Sequence, residues 1–262
     1  MAVKLNQDDF VRVCVAGIEV DVFGAADLPS TAPIIFVTHG RGGMGLHCHD
    51  WCRELVGMGF IAIALDQRNH GRRLIDGRVN GNWSPVHAAD IYGVFLGTAM
   101  DVVTLIDMIP ARLGLTTDRI GMTGGSLGGH ATLMAMALDH RIRVGVPMIG
   151  SGDFRRLMEL RAAANQSPAK DFDTFFPPEL DAVVRARDPL HRAAVFADRP
   201  LLMLNGANDN MVQLECNQRF EAAARPHYQD GSKLKLISYP GVGHAIPVEM
   251  WNEAKSWFKK WL

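Results

Sequence analysis

Gly124-Gly125-Ser126-Leu127-Gly128 places a serine among glycines in the pattern G-x-S-x-G. A serine hydroxyl is a weak nucleophile until a neighbouring base takes its proton. It does chemistry only when a histidine, itself oriented by a carboxylate, is brought to it. The glycines have a steric purpose: a nucleophile on a sharp strand-to-helix turn has a strained backbone, and bulky neighbours would clash there. The flanks fit. Ile120 to Thr123 is an apolar strand, and Gly128-Gly129-His130-Ala131 opens a helix of small residues.

A second constellation, His39-Gly40-Arg41-Gly42-Gly43, follows an earlier buried strand. Attack on a carbonyl builds negative charge on its oxygen, and two preorganised backbone N–H donors would hold it. The candidate donors are the N–H of Leu127 and that of Arg41, with the glycines allowing close approach. His39 itself reads as a brace for the loop rather than a base.

The carboxylate is sought just past a buried strand. Asp209, in Asn205-Gly206-Ala207-Asn208-Asp209, is one candidate, and Asp153, in Gly150-Ser151-Gly152-Asp153, is its rival; Asp209 is favoured. The chain holds ten histidines, so a histidine alone means nothing. Of His140, His191, His227 and His244, only His244 follows the last strand on a loop near the terminus. Ser126, Asp209 and His244 then run in the order nucleophile, acid, base.

Such a site needs a sheet to carry it. Val11 to Phe23, with Gly17 inside it, reads as an N-terminal antiparallel hairpin. Short, continuously apolar runs at 33–38, 60–65, 119–123, 144–149, 201–205 and 234–239 read as strands buried on both faces, as in a parallel sheet. Helical stretches at 50–58, 98–109, 128–138 and 214–224 alternate with them, the pattern of a doubly wound α/β sheet. Residues 68–92 read as a long polar loop. Residues 151–198 read as a lid inserted within a single domain spanning 1–262, over the crevice where such sheets bind ligands. Residues 247–262 read as a helix with an apolar stripe of Met250, Trp251, Ala254, Trp257, Phe258, Trp261 and Leu262, packed on the sheet.

On these motifs the chain resembles the α/β-hydrolase superfamily over nearly its whole length. His39-Gly40-Arg41-Gly42-Gly43, Asp66-Gln67-Arg68-Asn69-His70-Gly71 and Gly124 to His130 are similar to the esterase branch near dienelactone hydrolases and prolyl-oligopeptidase-like domains. Dienelactone hydrolases proper carry a cysteine where this chain has Ser126, and the propeller of the large oligopeptidases is not expected within these 262 residues. The resemblance implies a free-standing carboxylesterase for small or short-acyl esters, working through an acyl-enzyme on Ser126, His244 and Asp209. It also implies a structural turn for Asp66, Arg68 and His70. An acyltransferase, a small peptidase, or a ligand binder without turnover stay open as alternatives.

Other candidates are weaker. Trp83, Tyr92, Phe175 and Phe176 could line a substrate pocket, or equally belong to the core. His47-Cys48-His49-Asp50-Trp51-Cys52 lacks the paired spacing of metal sites, so no metal is expected, and no cofactor is implied. With 48% hydrophobic residues, a formal net charge of −1 and no dense basic run, the chain has a core's worth of apolar material and no footprint for nucleic acid. No apolar run reaches the ~18 residues of a membrane span, and the first residues lack a signal-peptide pattern. Four cysteines without a disulfide framework fit a reducing compartment, so a cytoplasmic location is expected. A small-molecule ester is the expected partner, and a homo-oligomer is left open.

Overall fold

The computed structural model of the chain describes residues 9–74, 88–164 and 172–262. Eight strands form one sheet: β1 (Phe10–Val15), β2 (Ile18–Phe23), β3 (Ile34–Thr38), β4 (Ile61–Leu65), β5 (Ile120–Gly125), β6 (Ile142–Met148), β7 (Leu201–Gly206) and β8 (Leu234–Tyr239). Their spatial order is β1-β2-β4-β3-β5-β6-β7-β8. β1 and β2 are antiparallel to their neighbours and the other pairings are parallel. The β1–β2 turn uses Ala16 at φ 51° and Gly17 at φ 79°, the positive pair of the tight hairpin turn that matches strand twist.

Continuous apolar strands do here what the pattern requires. Ile34 and Phe36 enter one core, and Ile35 and Val37 the other, so β3 is buried on both faces. The first core is covered by α2 (Ala88–Leu113) and α3 (Leu127–Leu138), the second by α1 (His49–Gly57) and α8 (Val248–Trp261). Met250, Trp251, Ala254, Trp257 and Phe258 of α8 are all buried, so that stripe is core.

α2 begins ten residues before the expected stretch at 98–109 and takes the end of the expected 68–92 loop into a helix. Gly93 and Gly97 break the apolar period there. At Gly97 the reason is packing: a Cβ would lie 2.5 Å from Cδ of Arg68, which crosses the helix at that point to reach Asp101. By length and composition α2 could also cross a membrane, contrary to the reading of the sequence, although 56% of its apolar window is buried inside the fold. Asp101, midway along it, pairs with Arg68 and Arg73.

The insertion between β6 and β7 is helical: α4 (Phe154–Ala163), α5 (Phe172–Phe175), α6 (Pro178–Arg187) and a 3-10 segment, Pro189–Phe196. It is tied down at its base, where the Asp188 carboxylate accepts the Phe154 N–H at 3.0 Å and the Gly152 carbonyl accepts the Leu190 N–H at 2.9 Å. The remaining helix, α7 (Leu214–Ala224), follows β7.

The two strands at the centre, β3 and β5, are where the winding reverses: β3 leads outward to β4, and the chain then returns to lay β5 on the other side of β3. A crevice opens at the carboxyl end of strands at such a switch point. The loops after β3, β5, β7 and β8 all meet there.

Candidate active site

Ser126 connects β5 to α3 with φ 55° and ψ −113°, a conformation that costs a non-glycine residue about 1–3 kcal/mol. The fold holds it there from both sides. Its N–H donates to the Met148 carbonyl at 2.9 Å and its carbonyl accepts the His130 N–H at 3.0 Å. The helix is drawn tight against the sheet. A Cβ on Gly128 would lie 2.4 Å from the Thr38 carbonyl oxygen, so only glycine lets α3 start this close to β3. Leu127 is the first residue of α3, and its N–H has no acceptor within the helix.

His244 reaches the same point from the loop after β8. Its Nε2 lies 2.9 Å from Ser126 Oγ and its Nδ1 2.8 Å from Asp209 Oδ2. The other oxygen of Asp209 accepts the N–H groups of Met211 at 2.8 Å and Val212 at 2.9 Å. Burial alone would raise the Asp209 carboxyl, but the His244 ring and these N–H donors outweigh it and hold the group below the usual carboxylate range. A carboxylate at Nδ1 keeps that nitrogen protonated and leaves Nε2 as the acceptor for the serine hydroxyl. The three residues therefore form one hydrogen-bonded chain whose chemistry is delivery of a nucleophilic oxygen.

Asp153, the rival acid, is engaged elsewhere. It caps α4 by accepting the Arg156 N–H at 3.0 Å, and its other oxygen holds Arg219 at 2.6 Å. Arg41 lies in the loop after β3, where Gly40 packs against the turn: a Cβ there would be 3.7 Å from Ser126 Cβ. Arg41, Gly42 and Gly43 line a cleft of about 520 Å³ together with Ser126 and His244. Its remaining walls include His47, Cys48, Trp51, Ile149, Met211 and Ile246.

The expected pocket aromatics are elsewhere. Tyr92 and Phe176 pack on Phe154, with ring centroids at 5.0 and 6.0 Å, and both are buried in the first core with Phe175. The insertion needs its aromatic residues to dock on α2 and α3, so those rings face inward. Trp83 lies outside the described residues. Sequence reasoning missed Trp51, Ile149, Met211 and Ile246 as cleft walls. For Ile149 a signal exists only in three dimensions: its φ of 45° is an outlier for a β-branched side chain.

The turn after β4 braces the loop after β3. Asp66 accepts the N–H of Gly45 at 2.6 Å and of Arg72 at 2.9 Å. His39 donates from Nδ1 to the Gly40 carbonyl at 2.7 Å and accepts the Gln67 N–H on Nε2 at 3.0 Å, while the Gln67 side chain donates to the His39 carbonyl. His39 is thus committed to structure. In the cysteine-histidine stretch, His49 bonds Asp21 at 2.9 Å, and burial pushes the Cys48 thiol up to about 12 and that of Cys52 well up, leaving both as inert buried thiols.

Burial pushes His39 and His130 down to about 4. Above pH 6.5 these rings are neutral in both folded and unfolded chains, and their contribution to stability is complete. Between pH 6.5 and 4 the unfolded chain takes up protons that the folded chain refuses. Stability should therefore fall with pH across that window, by up to about 3 kcal/mol for each ring. Thermal unfolding from pH 7.5 to 4.5 checks this, and His130→Gln should flatten the slope.

Strand order, switch-point crevice and a serine held by a histidine together define an α/β-hydrolase fold carrying a serine hydrolase site. The model of the prolyl oligopeptidase family matches residues 97–262, and the chain belongs to that family. Among relatives, a putative esterase, YitV of Bacillus subtilis, is 24% identical over 237 residues, covering 88% of this chain and 89% of its own. Esterase YjfP of Escherichia coli is 25% identical over 247 residues, covering 91% and 92%. The crystal structure of TT1662 from Thermus thermophilus superposes with a TM-score of 0.76 at 25% identity, covering 96% of this chain and 97% of that one.

Proposed function

We propose that the protein hydrolyses carboxylic esters of short acyl groups through a covalent acyl-enzyme on Ser126. The observation that carries this reading is the Ser126–His244–Asp209 chain at 2.9 and 2.8 Å. His244 takes the hydroxyl proton as Ser126 Oγ attacks the ester carbonyl. The oxyanion is held by the N–H groups of Leu127 and Arg41 at the positive end of α3. His244 then gives its proton to the departing alcohol. It next activates a water that releases the carboxylic acid and restores the serine. Asp209 keeps the imidazole in the productive tautomer and stabilises its charged form. The esterase names of the two full-length relatives support the ester over the peptide bond.

The cleft wall favours short acyl groups. A Cβ at Gly125 would lie 2.5 Å from Cδ1 of Ile246 and 3.9 Å from Cη2 of Trp51, so both side chains crowd the nucleophile. Trp51 is further fixed by stacking on Trp251, centroids 4.7 Å apart. A p-nitrophenyl ester series from acetate to decanoate tests the proposal. Wild type should favour the shortest acyl groups, and Ile246→Ala should move the optimum to longer chains, with roughly tenfold gains there. Turnover of peptide anilides without turnover of esters would overturn it in favour of a peptidase.

A further inference from the structure

Ile149 stands one residue past β6, lines the cleft and is 4% exposed. Its φ of 45° puts a β-branched side chain in the left-handed region. Such a residue stays there only when its surroundings over-determine it. The peptide before it matters to the nucleophile, because the Met148 carbonyl accepts the Ser126 N–H at 2.9 Å. Relaxation of Ile149 would turn that carbonyl away from Ser126 and withdraw the side chain from the cleft.

What prevents relaxation lies on both sides of Ile149. Its own N–H donates to the Leu204 carbonyl at 2.7 Å. After it, Gly150 packs on the start of α3, where a Cβ would lie 2.5 Å from the Gly129 carbonyl carbon. The Ser151 N–H donates to His130 Nδ1 at 3.0 Å. A single side chain then grips the backbone on either side of Ser151. Asn217 Nδ2 donates to the Gly150 carbonyl at 2.6 Å, and Asn217 Oδ1 accepts the Gly152 N–H at 3.1 Å. Nδ2 also donates to Asn205 Oδ1, near the end of β7, at 2.6 Å.

Asn217 lies on α7, is 1% exposed and is not among the residues that line the cleft. Its neighbours on the buried face of the helix, Cys216, Phe220 and Ala224, are apolar, as packing on a core requires. Asn217 departs from that pattern. A buried amide is costly unless its polar atoms are engaged, and here both N–H donors and the oxygen are engaged. Two of the three bonds go to the segment that follows Ile149.

We infer that Asn217 is a positioning residue: it holds the segment after Ile149 so that the Met148 carbonyl stays on the Ser126 N–H and the Ile149 side chain stays in the cleft. The inference rests on the hydrolase reading above and adds to it a residue that acts through Ile149 without touching substrate.

A double-variant comparison tests it, with kinetics read well below the melting temperature of each variant so that loss of fold does not enter kcat. Asn217→Ala should lower kcat on p-nitrophenyl acetate about tenfold or more, with KM changed by less than about threefold. Ile149→Asn isolates the cause. Asparagine takes the left-handed region more readily than a β-branched residue, so less strain is left for the clamp to hold. In that background Asn217→Ala should cost less than about threefold in kcat. If Asn217 only satisfies buried backbone groups, kcat keeps its wild-type value while Tm falls, and the inference is overturned. An equal loss of kcat in both backgrounds would overturn it too, because Asn217 would then act by a route other than Ile149. Asn217→Ser, whose hydroxyl can serve one of the three contacts, is the milder variant on which the same comparison is read if the alanine does not fold. Failure of both to fold would make Asn217 a requirement of the fold and overturn the positioning role. Each of these results leaves the hydrolase reading standing as long as the wild type is active. Inactivity of the wild type on both p-nitrophenyl acetate and p-nitrophenyl butyrate would overturn both.

Discussion

Ser126→Ala is expected to reduce ester turnover by roughly 10⁴-fold or more while leaving the fold in place. The substitution removes one oxygen, the atom 2.9 Å from His244 Nε2, and among the described residues no alternative nucleophile is paired with that nitrogen. The backbone bonds of the turn, to Met148 and from His130, use main-chain atoms and survive it. Alanine keeps the Cβ, so the strain at φ 55° is the same before and after. Steady-state kinetics on p-nitrophenyl acetate and a thermal melt check both halves. A variant that keeps more than about a hundredth of wild-type kcat with an unchanged melt would remove Ser126 from the mechanism.

The second large effect is expected at Asp209. In Asp209→Asn the amide can still accept the N–H groups of Met211 and Val212 on its oxygen. Its NH₂ then faces His244 Nδ1, where it donates. That drives the ring proton to Nε2, the nitrogen that must accept from Ser126, and a loss of roughly 10⁴-fold in kcat follows, as in other triads. Asp153→Asn is the matched control, because Asp153 occupies the same edge one strand earlier. Its loss weakens the cap of α4 and the pairing with Arg219. It should cost about 1 kcal/mol of stability and little activity. The reverse ranking in side-by-side kinetics would move the acid to Asp153. Because Asp209 is held below the usual carboxylate range, no loss of activity above pH 5 should trace to it.

The contrast between these two carboxylates marks the boundary of what a sequence can say. Ser126 was legible because its requirements are local: an apolar strand, small residues that tolerate a tight turn, and a helix, all within about a dozen residues. His244 was legible from its place after the last strand. Each strand buried on both faces was legible because continuous apolar runs have no other stable surroundings in such a fold. The glycines of α2 misled for the same local reason, since a glycine reads as a breaker until the side chain crossing it is seen. At Gly97 that side chain is Arg68, bound to Asp101.

Asp209 and Asp153 both follow buried strands, and the sequence favours Asp209 without showing the partner of either. The separation comes from residues far along the chain: His244 lies over one and Arg219 over the other. The same holds for the cleft. Tyr92, Phe175 and Phe176 are aromatic and near the right segments, yet they fill the core, because the insertion must bury apolar surface to dock at all. Trp51, Ile246 and Met211 reach the cleft from three separate segments, and only the winding of the sheet brings them together. The amino-acid sequence by itself pointed to the candidate nucleophile, the candidate base and the sheet that carries them, because those depend on short-range sterics and burial. The tertiary structure alone shows what each carboxylate touches and which side chains wall the cleft, because those depend on contacts between side chains that the sequence keeps far apart.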